Sequence, residues 1–406
     1  MREAALAGVK VADFSWVLAG PTVGRALADH GATVVRVESA RRVDLARALS
    51  PFTNGESRPD NSALASDLNA GKLGLALDLA IPEAREVART LCDWADIVLE
   101  SFSPGTMKAW GLDYDSLRQS NPGLIMLSTT LMGNFGPLSK LAGFGSAGSC
   151  LSGIHNVTGW PDMVPTGYCG PYTDFVAPKF SLMGLLAALD RRARTGEGAY
   201  IDLSQVEAGL QYMAPEILEY STSGSVAERQ GNADPALCPN EVYVCAAGDG
   251  RERYVAISIR TEAEWTALID VLRLSGVDDL IDADVDARKA HRERIDAAIA
   301  KAVADEPAER VEELLQTAGI PAYVALHGSE LPHDPQLKDR NHFVAVEHPR
   351  RGSTYVEATR IQLSETPGRP HGAGPDIGEH QTMVLKEILQ IPDDVIRSCQ
   401  QAGAFF

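Results

Sequence analysis

Three apolar runs open the chain. Val9 to Phe14 is β-prone, Pro21 to His30 has a helix-compatible pattern closing on Gly31, and Ala32 to Val37 reads as a second buried strand. Runs without a polar face suit strands covered on both sides. Strand, helix and strand in that order predict a βαβ unit and a parallel sheet. A second unit follows: Leu73 to Leu79 as strand, Ile81 to Trp94 as an amphipathic helix begun by Pro82, and Asp96 to Glu100 as strand. Leu124 to Ser128 is one strand more.

Downstream the period changes. From Asp174 to Arg192 the pattern predicts a long helix, nearly apolar all round in its middle and therefore buried. The turn Thr195 to Gly198 leads into a strand, Ala199 to Leu203, and a helix from Gln205 to about Tyr220. Ser221 to Asp234 is small and polar, the composition of a linker, so the main domain boundary falls there. Strands Glu241 to Cys245 and Tyr254 to Ser258 come next, then helices Glu262 to Leu272, Arg288 to Ala304 and Ala308 to Thr317. From about Ser329 the sequence gives short strands and a last helix, Gln381 to Ile391. The expectation is an α/β protein: a Rossmann-like parallel-sheet domain over 1–220, a smaller α+β domain over 221–328, and a segment 329–406 returning to the first.

A chain of 406 residues exceeds the ~250–300 at which single cores stop growing, which agrees with more than one domain. Its net charge of −18 opposes attraction to nucleic acid or anionic membranes, so neither is an expected partner. The most apolar run, Phe180 to Leu189, is about half of the ~20 residues a bilayer span needs, and the first residues lack a signal pattern. A cytoplasmic location is expected. The six cysteines (Cys92, Cys150, Cys169, Cys238, Cys245, Cys399) show no CxxC spacing, and no HExxH or Walker loop occurs, so no metal is expected. Glu38 ends the second strand as the ribose-binding acid of dinucleotide folds does. The preceding turn, AGPTVG, lacks the GxGxxG pattern, which disfavours NAD.

Short motifs then recur in a telling order: DFSWVLAGP (Asp13 to Pro21), LNAGKLGLALDL (Leu68 to Leu79), ESFSPGTM (Glu100 to Met107), LSG (Leu151 to Gly153), TGWPD (Thr158 to Asp162), GPYTDF (Gly170 to Phe175), TGEGAYIDLSQVEA, GIPA, DPQL (Asp334 to Leu337) and GEH (Gly378 to His380). Together they resemble the family III CoA-transferases, which include formyl-CoA:oxalate, carnitine and benzylsuccinate CoA-transferases and α-methylacyl-CoA racemase. The wording is most similar to the benzylsuccinate branch. The resemblance implies an enzyme moving coenzyme A, as substrate, from an acyl-CoA to a small organic acid, and an interlocked homodimer or a pairing with a related chain.

Asp174 matches the family's catalytic aspartate. Such a carboxylate attacks a thioester to give a mixed anhydride, which the expelled thiolate converts into an enzyme thioester. A position at the start of a buried helix supplies free N–H groups that favour the anion. The competing reading is a plain helix cap, a common use of Asp. For CoA the resemblance implies Val17, Leu18 and Ala19, the strand end Leu77, Asp78 and Leu79, the turn Ser101, Phe102 and Ser103, and Gly143 with Phe144. Arg42, Lys72 and Lys108 are the cations expected at its phosphates. Relatives carry Asn and Arg where Ser101 and Ser103 stand, and basic residues at the Ala109 and Ser39 positions, so the phosphate contacts differ here.

Two other readings compete. A racemase needs a second proton-transfer group, but the histidine that follows the Ala-Gly pair in such enzymes is Phe144 here. His155 reads as structural. The chain could instead be a CoA-binding subunit with an idle site, against which the retained Asp174 speaks. Trp16, Phe144, Trp160, Tyr168 and Tyr172 suggest room for an apolar acyl group, or simply packing.

Overall fold

Six strands, β1 (Lys10–Asp13), β2 (Thr33–Glu38), β3 (Leu73–Ala76), β4 (Ile97–Glu100), β5 (Ile125–Thr130) and β6 (Ala199–Ser204), form one sheet in the order β3-β2-β1-β4-β5-β6. Every pairing is parallel. The computed structural model describes residues 3–167, 170–248 and 250–406; Tyr168 and Cys169 lie outside them. Successive strand residues face opposite sides, and both sides are covered. Val11, Val34, Ile97 and Ile125 pack against Val23 and Leu27 of the helix Ala19–Asp29 and Leu185 of the helix Tyr172–Thr195. Their neighbours Ala12, Val35, Val98 and Met126 share a core with Val87 and Leu91 of the helix Pro82–Trp94. This two-sided burial explains the largely apolar runs, and the α/β architecture expected from them is present.

The outer edge of β3 is closed by residues of the GEH segment. The Gly74 N–H donates to His380 Nδ1 at 3.1 Å, and its carbonyl accepts from the His380 N–H at 3.0 Å. Gln381 Oε1 then accepts from the Ala76 N–H at 2.9 Å. Side chains thus stand in for a seventh strand, which removes the hazard of an open edge. Gly74 is required, because a β-carbon there would lie 2.8 Å from the Asp376 carbonyl oxygen.

The chain divides into a unit of Met1–Asn156, Gly167–Ala227 and Pro335–Phe406 and a unit of Val157–Thr166 and Glu228–Asp334. The second unit holds the antiparallel sheet β7 (Asn240–Gly248), β8 (Arg251–Ser258) and β9 (Ala322–Val324), with Trp265 and Ile295 fully buried beside it. Residues 157–166, read from sequence as part of the first domain, belong to this unit.

Several elements differ from expectation. The helix Tyr172–Thr195 buries Val176, Ala177, Leu185 and Ala188 but leaves Phe175, Met183 (57% exposed) and Leu186 outside, so it is not apolar-buried all round. The helix expected from Gln205 to Tyr220 breaks into Gln205–Leu210 and Ala214–Ser223 around a short 3-10 turn, with Pro215 in the first turn of the second piece. The last helix is a single π-helical stretch, Met383–Ile388, followed by an unanticipated helix, Asp393–Ala402.

Candidate active site

Asp174 is the third residue of the helix Tyr172–Thr195, and its side chain is buried, with 4% of the residue exposed. The seven-residue helix Gly145–Leu151 begins beside it: the Gly145 N–H donates to Asp174 Oδ2 at 3.1 Å. No side-chain cap is present on that short helix, so Asp174 serves a neighbouring element as well as its own first turn. Gln205 is buried nearby, its Oε1 3.4 Å from the Thr173 hydroxyl. Burial pushes the carboxyl up to about 6, and the hydrogen bond from Gly145 acts in the opposite sense. The result is a poorly hydrated carboxylate, ionised at neutral pH and held by the neutral Gly145 N–H.

The carboxyl ends of β1 to β4 surround a cleft of about 160 Å3, where open α/β sheets bind ligands. Trp16, Phe102 and Trp110 form its aromatic wall, with Trp16 and Phe102 ring centres 5.9 Å apart and Phe102 edge-on to Trp110 at 5.2 Å. Arg42 lies 5.2 Å over the Trp16 ring. Of the residues expected to hold CoA, the cleft gathers Arg42, Leu77, Asp78, Leu79 and Phe102. Ser101 stands behind the wall, its Oγ accepting the Trp16 N–H at 2.7 Å. Ser103 and Lys108 are exposed beyond it, and Gly143 and Phe144 are exposed just ahead of Gly145.

Leu18 and Ala19 are packed into the core at the start of the first helix, so their side chains are not available to a ligand. Val17 is backbone-strained: its φ of 66° is a genuine outlier for a β-branched residue. Such a conformation costs about 1–3 kcal/mol. The Asp44 carboxylate holds it, accepting the Val17 N–H at 3.1 and 3.2 Å.

Lys72 corrects an expectation. Its ammonium is buried and donates to Asp13 Oδ2 (2.8 Å), the Pro21 carbonyl (2.8 Å) and Asn69 Oδ1 (2.9 Å). All three of its protons are committed, so it cannot bind a phosphate. Burial pushes it down to about 8 against the pull of Asp13. Burial alone would raise Asp13, but Lys72 and Arg36 outweigh it and hold that carboxyl below its usual range. Arg36 continues the network to Asp44 at 2.6 Å, and Arg47 pairs with Glu38 on the cleft wall at 2.6 Å.

Sequence reading also missed Glu100. Burial pushes this carboxyl up to about 7, although it accepts from Ser128 Oγ and from the Phe102 N–H at 2.8 Å. It therefore anchors an aromatic of the cleft wall from beneath. The aromatic residues read as an acyl pocket separate: Trp16 lines the cleft, Trp160 lies in the second unit, and Tyr172 packs edge-on against Tyr212 at 5.5 Å. His348, Asp376 and Glu379 bring ligand-capable atoms within 4.8 Å of one another. His348 Nδ1 accepts the Arg350 and Arg351 N–H groups, both at 3.2 Å, which puts the neutral ring's proton on Nε2, facing Glu379 at 3.3 Å. Arg350 and Arg351 also pair with Asp376, at 2.8 and 3.3 Å. The arginines thus neutralise part of the acidic charge of this group.

The family model of CoA-transferase family III matches residues 6–381. The chain belongs to CoA-transferase family III. This family III enzyme is 32% identical over 397 residues to the succinyl-CoA–D-citramalate CoA-transferase of Chloroflexus aurantiacus, covering 97% of this chain and 96% of that one. It is 31% identical over 395 residues to the succinate–glutarate CoA-transferase of Agrobacterium fabrum, covering 96% and 97%. Among solved structures, a CAIB/BAIF family protein from Brucella suis superposes with a TM-score of 0.87 at 29% identity, over 95% of this chain and 100% of that one. The transferase is accordingly an acyl-CoA:carboxylate CoA-transferase. Among the described residues, no helix is long and apolar enough to cross a membrane.

Proposed function

We propose that this transferase works through covalent intermediates on Asp174 and takes small dicarboxylic acids. The Asp174 carboxylate attacks the acyl-CoA carbonyl; a C–O bond forms, the C–S bond breaks, and CoA leaves as thiolate. The thiolate then attacks the Asp174 carbonyl carbon of the anhydride, making a new C–S bond and releasing the donor acid as carboxylate. An acceptor carboxylate reverses both steps, so the thioester's energy is kept and neither electrons nor a metal is needed. The observation that carries this reading is the burial of Asp174 beneath the Gly145 amide, which leaves a carboxylate short of water and aimed by a neutral donor. Succinate, citramalate and glutarate in the names of the two relatives support the substrate class.

The cleft bounded by Trp16, Phe102 and Trp110 holds the adenine end of CoA, with Arg42 toward its phosphates, because rings stack and a guanidinium matches phosphate. A second copy of the chain covers the outward apolar face of Met183, Leu186, Ile217, Leu218 and Tyr220. A cytoplasmic location suits substrates that are metabolic acyl-CoAs. Incubation with succinyl-CoA followed by hydroxylamine and peptide mass spectrometry tests the nucleophile. Modification at Asp174 is expected; turnover with an unmodified Asp174 contradicts the reading.

A further inference from the structure

Ser15, Trp16 and Val17 join β1 to the helix Ala19–Asp29, and the N–H of each is accepted by a side chain, not by a backbone carbonyl. Asp13 Oδ1 takes the Ser15 N–H at 3.0 Å, Ser101 Oγ the Trp16 N–H at 2.7 Å, and the Asp44 carboxylate the Val17 N–H at 3.1 and 3.2 Å. The Ser101 hydroxyl gives its own proton to the Trp16 carbonyl at 3.3 Å. The turn is also packed tightly: a β-carbon on Gly20 would lie 2.2 Å from Ser15 Cβ. Val17 is its strained member, since its φ of 66° crowds a β-branched side chain against its own backbone. A conformation of this kind persists only where the surroundings over-determine it, and such positions gather at ligand clamps. A valine relaxed to an extended φ would turn the preceding peptide and carry the Trp16 ring off the cleft wall.

Asp44 is placed to prevent that. It is buried, and its Oδ2 also accepts from Arg36 Nη2 at 2.6 Å. Arg36, itself fully buried, reaches Asp13 Oδ1 at 3.4 Å, so one guanidinium joins the acceptors of the first and third amides of the turn. Asp44 Oδ1 caps the short 3-10 helix Leu45–Ala48 by accepting the Ala46 N–H at 3.0 Å. A cap needs that contact alone; the bond to Val17 is additional. Asp44 follows Arg42 by two residues, and the Arg42 guanidinium lies 5.2 Å over the Trp16 ring. One carboxylate therefore ties the loop that carries the cation to the turn that carries the ring.

We propose that Asp44 is a positioning residue for coenzyme A: by holding Val17 in the left-handed conformation it keeps Trp16 on the cleft wall under Arg42, so that ring and guanidinium receive the nucleotide end of CoA together. The inference rests on the reading of this cleft as the CoA site and asks nothing of Asp174.

The test is a two-residue cycle read by calorimetric titration with free CoA, which cannot acylate the enzyme. Asp44→Ala should weaken the Kd for CoA about ten-fold, the factor that corresponds to backbone strain of the usual size. With saturating succinyl-CoA its kcat should stay within about two-fold, because the chemistry is untouched. Glycine adopts a φ near that of Val17 without strain, so in a Val17→Gly background the same Asp44→Ala substitution should weaken CoA by less than about two-fold. Loss of the helix cap or of the Arg36 pair would carry the same penalty into both backgrounds. Equal losses, or a parent Kd in Asp44→Ala, would overturn the positioning role. If Asp44→Ala does not fold, Asp44→Asn, which keeps one neutral acceptor, takes its place with a loss of about three-fold judged by the same comparison. Trp16→Leu separates the two claims. If it weakens CoA while the Asp44 variant keeps the parent Kd, the role of Asp44 falls and the cleft stands; a parent Kd in Trp16→Leu removes the cleft reading and this proposal with it.

Discussion

A β-carbon added to Gly145 would lie 2.7 Å from both the carboxyl carbon and Oδ2 of Asp174, and 2.7 Å from the Pro171 carbonyl oxygen. The glycine is thus the condition for the approach of one helix start to the other. Its amide reaches the carboxylate only because nothing projects from its Cα. A neighbouring pair repeats the rule: a β-carbon on Gly148 would sit 2.3 Å from Thr173 Oγ1. Small residues along one face of the short helix let Asp174 and Thr173 be buried without losing their hydrogen bonds.

Gly145→Ala should therefore hurt chemistry more than stability. Overpacking of this kind costs about 1–3 kcal/mol, measurable as a lowered urea midpoint. Displacing the carboxylate by a fraction of an ångström should reduce kcat by about a hundred-fold or more. An alanine variant with parent kcat would show that the Gly145 contact is not part of the working site.

Burial of Asp174 has a thermodynamic signature. Its folded-state value of about 6 lies above the ordinary 3.8, so the native state holds the proton more tightly than the unfolded chain between those limits. Stability therefore falls as pH rises through that window, and the loss is complete above pH 6. The penalty at neutral pH is about 3 kcal/mol. Asp174→Asn should melt higher than the parent at pH 7.5, with the gain vanishing toward pH 4, in differential scanning calorimetry at several pH values.

The same carboxyl, as the proposed nucleophile, should set the acid limb of activity. With the Asp174 carboxylate as the proposed nucleophile, kcat/KM for acyl-CoA should drop on the acid side with a midpoint near 6. A flat profile down to pH 5 in a buffer series would separate activity from Asp174.

Arg42 and Lys72 should behave oppositely although the sequence presents both as cations near CoA motifs. Arg42→Ala, at the exposed rim of the cleft, should raise the acyl-CoA KM several-fold and leave the melting temperature in place. Lys72→Met should unbalance Asp13 in the core and cost about 3–5 kcal/mol. Parallel kinetics and thermal melts on the two variants check the contrast.

These residues show what a sequence does and does not make legible. The parallel sheet was readable because strands buried on both faces, such as Val34 to Val37, are apolar at all but one position, Arg36. The helix that carries Asp174 was readable from its run of apolar residues. Lys72 was misread: a buried lysine and a surface lysine look alike until partners 59 residues away, as in Asp13, are brought together. The helix Tyr172–Thr195 looked wholly buried because apolar residues facing outward, Met183 and Leu186 among them, have the same pattern as residues facing a core.

The most direct test of the account is CoA exchange between two free acids by Asp174→Asn, assayed at pH 7.5 where the variant is expected to be at least as stable as the parent. Loss of exchange by several orders of magnitude, with the fold intact by calorimetry, is the predicted result. Exchange at the parent rate would contradict a covalent role for this carboxylate.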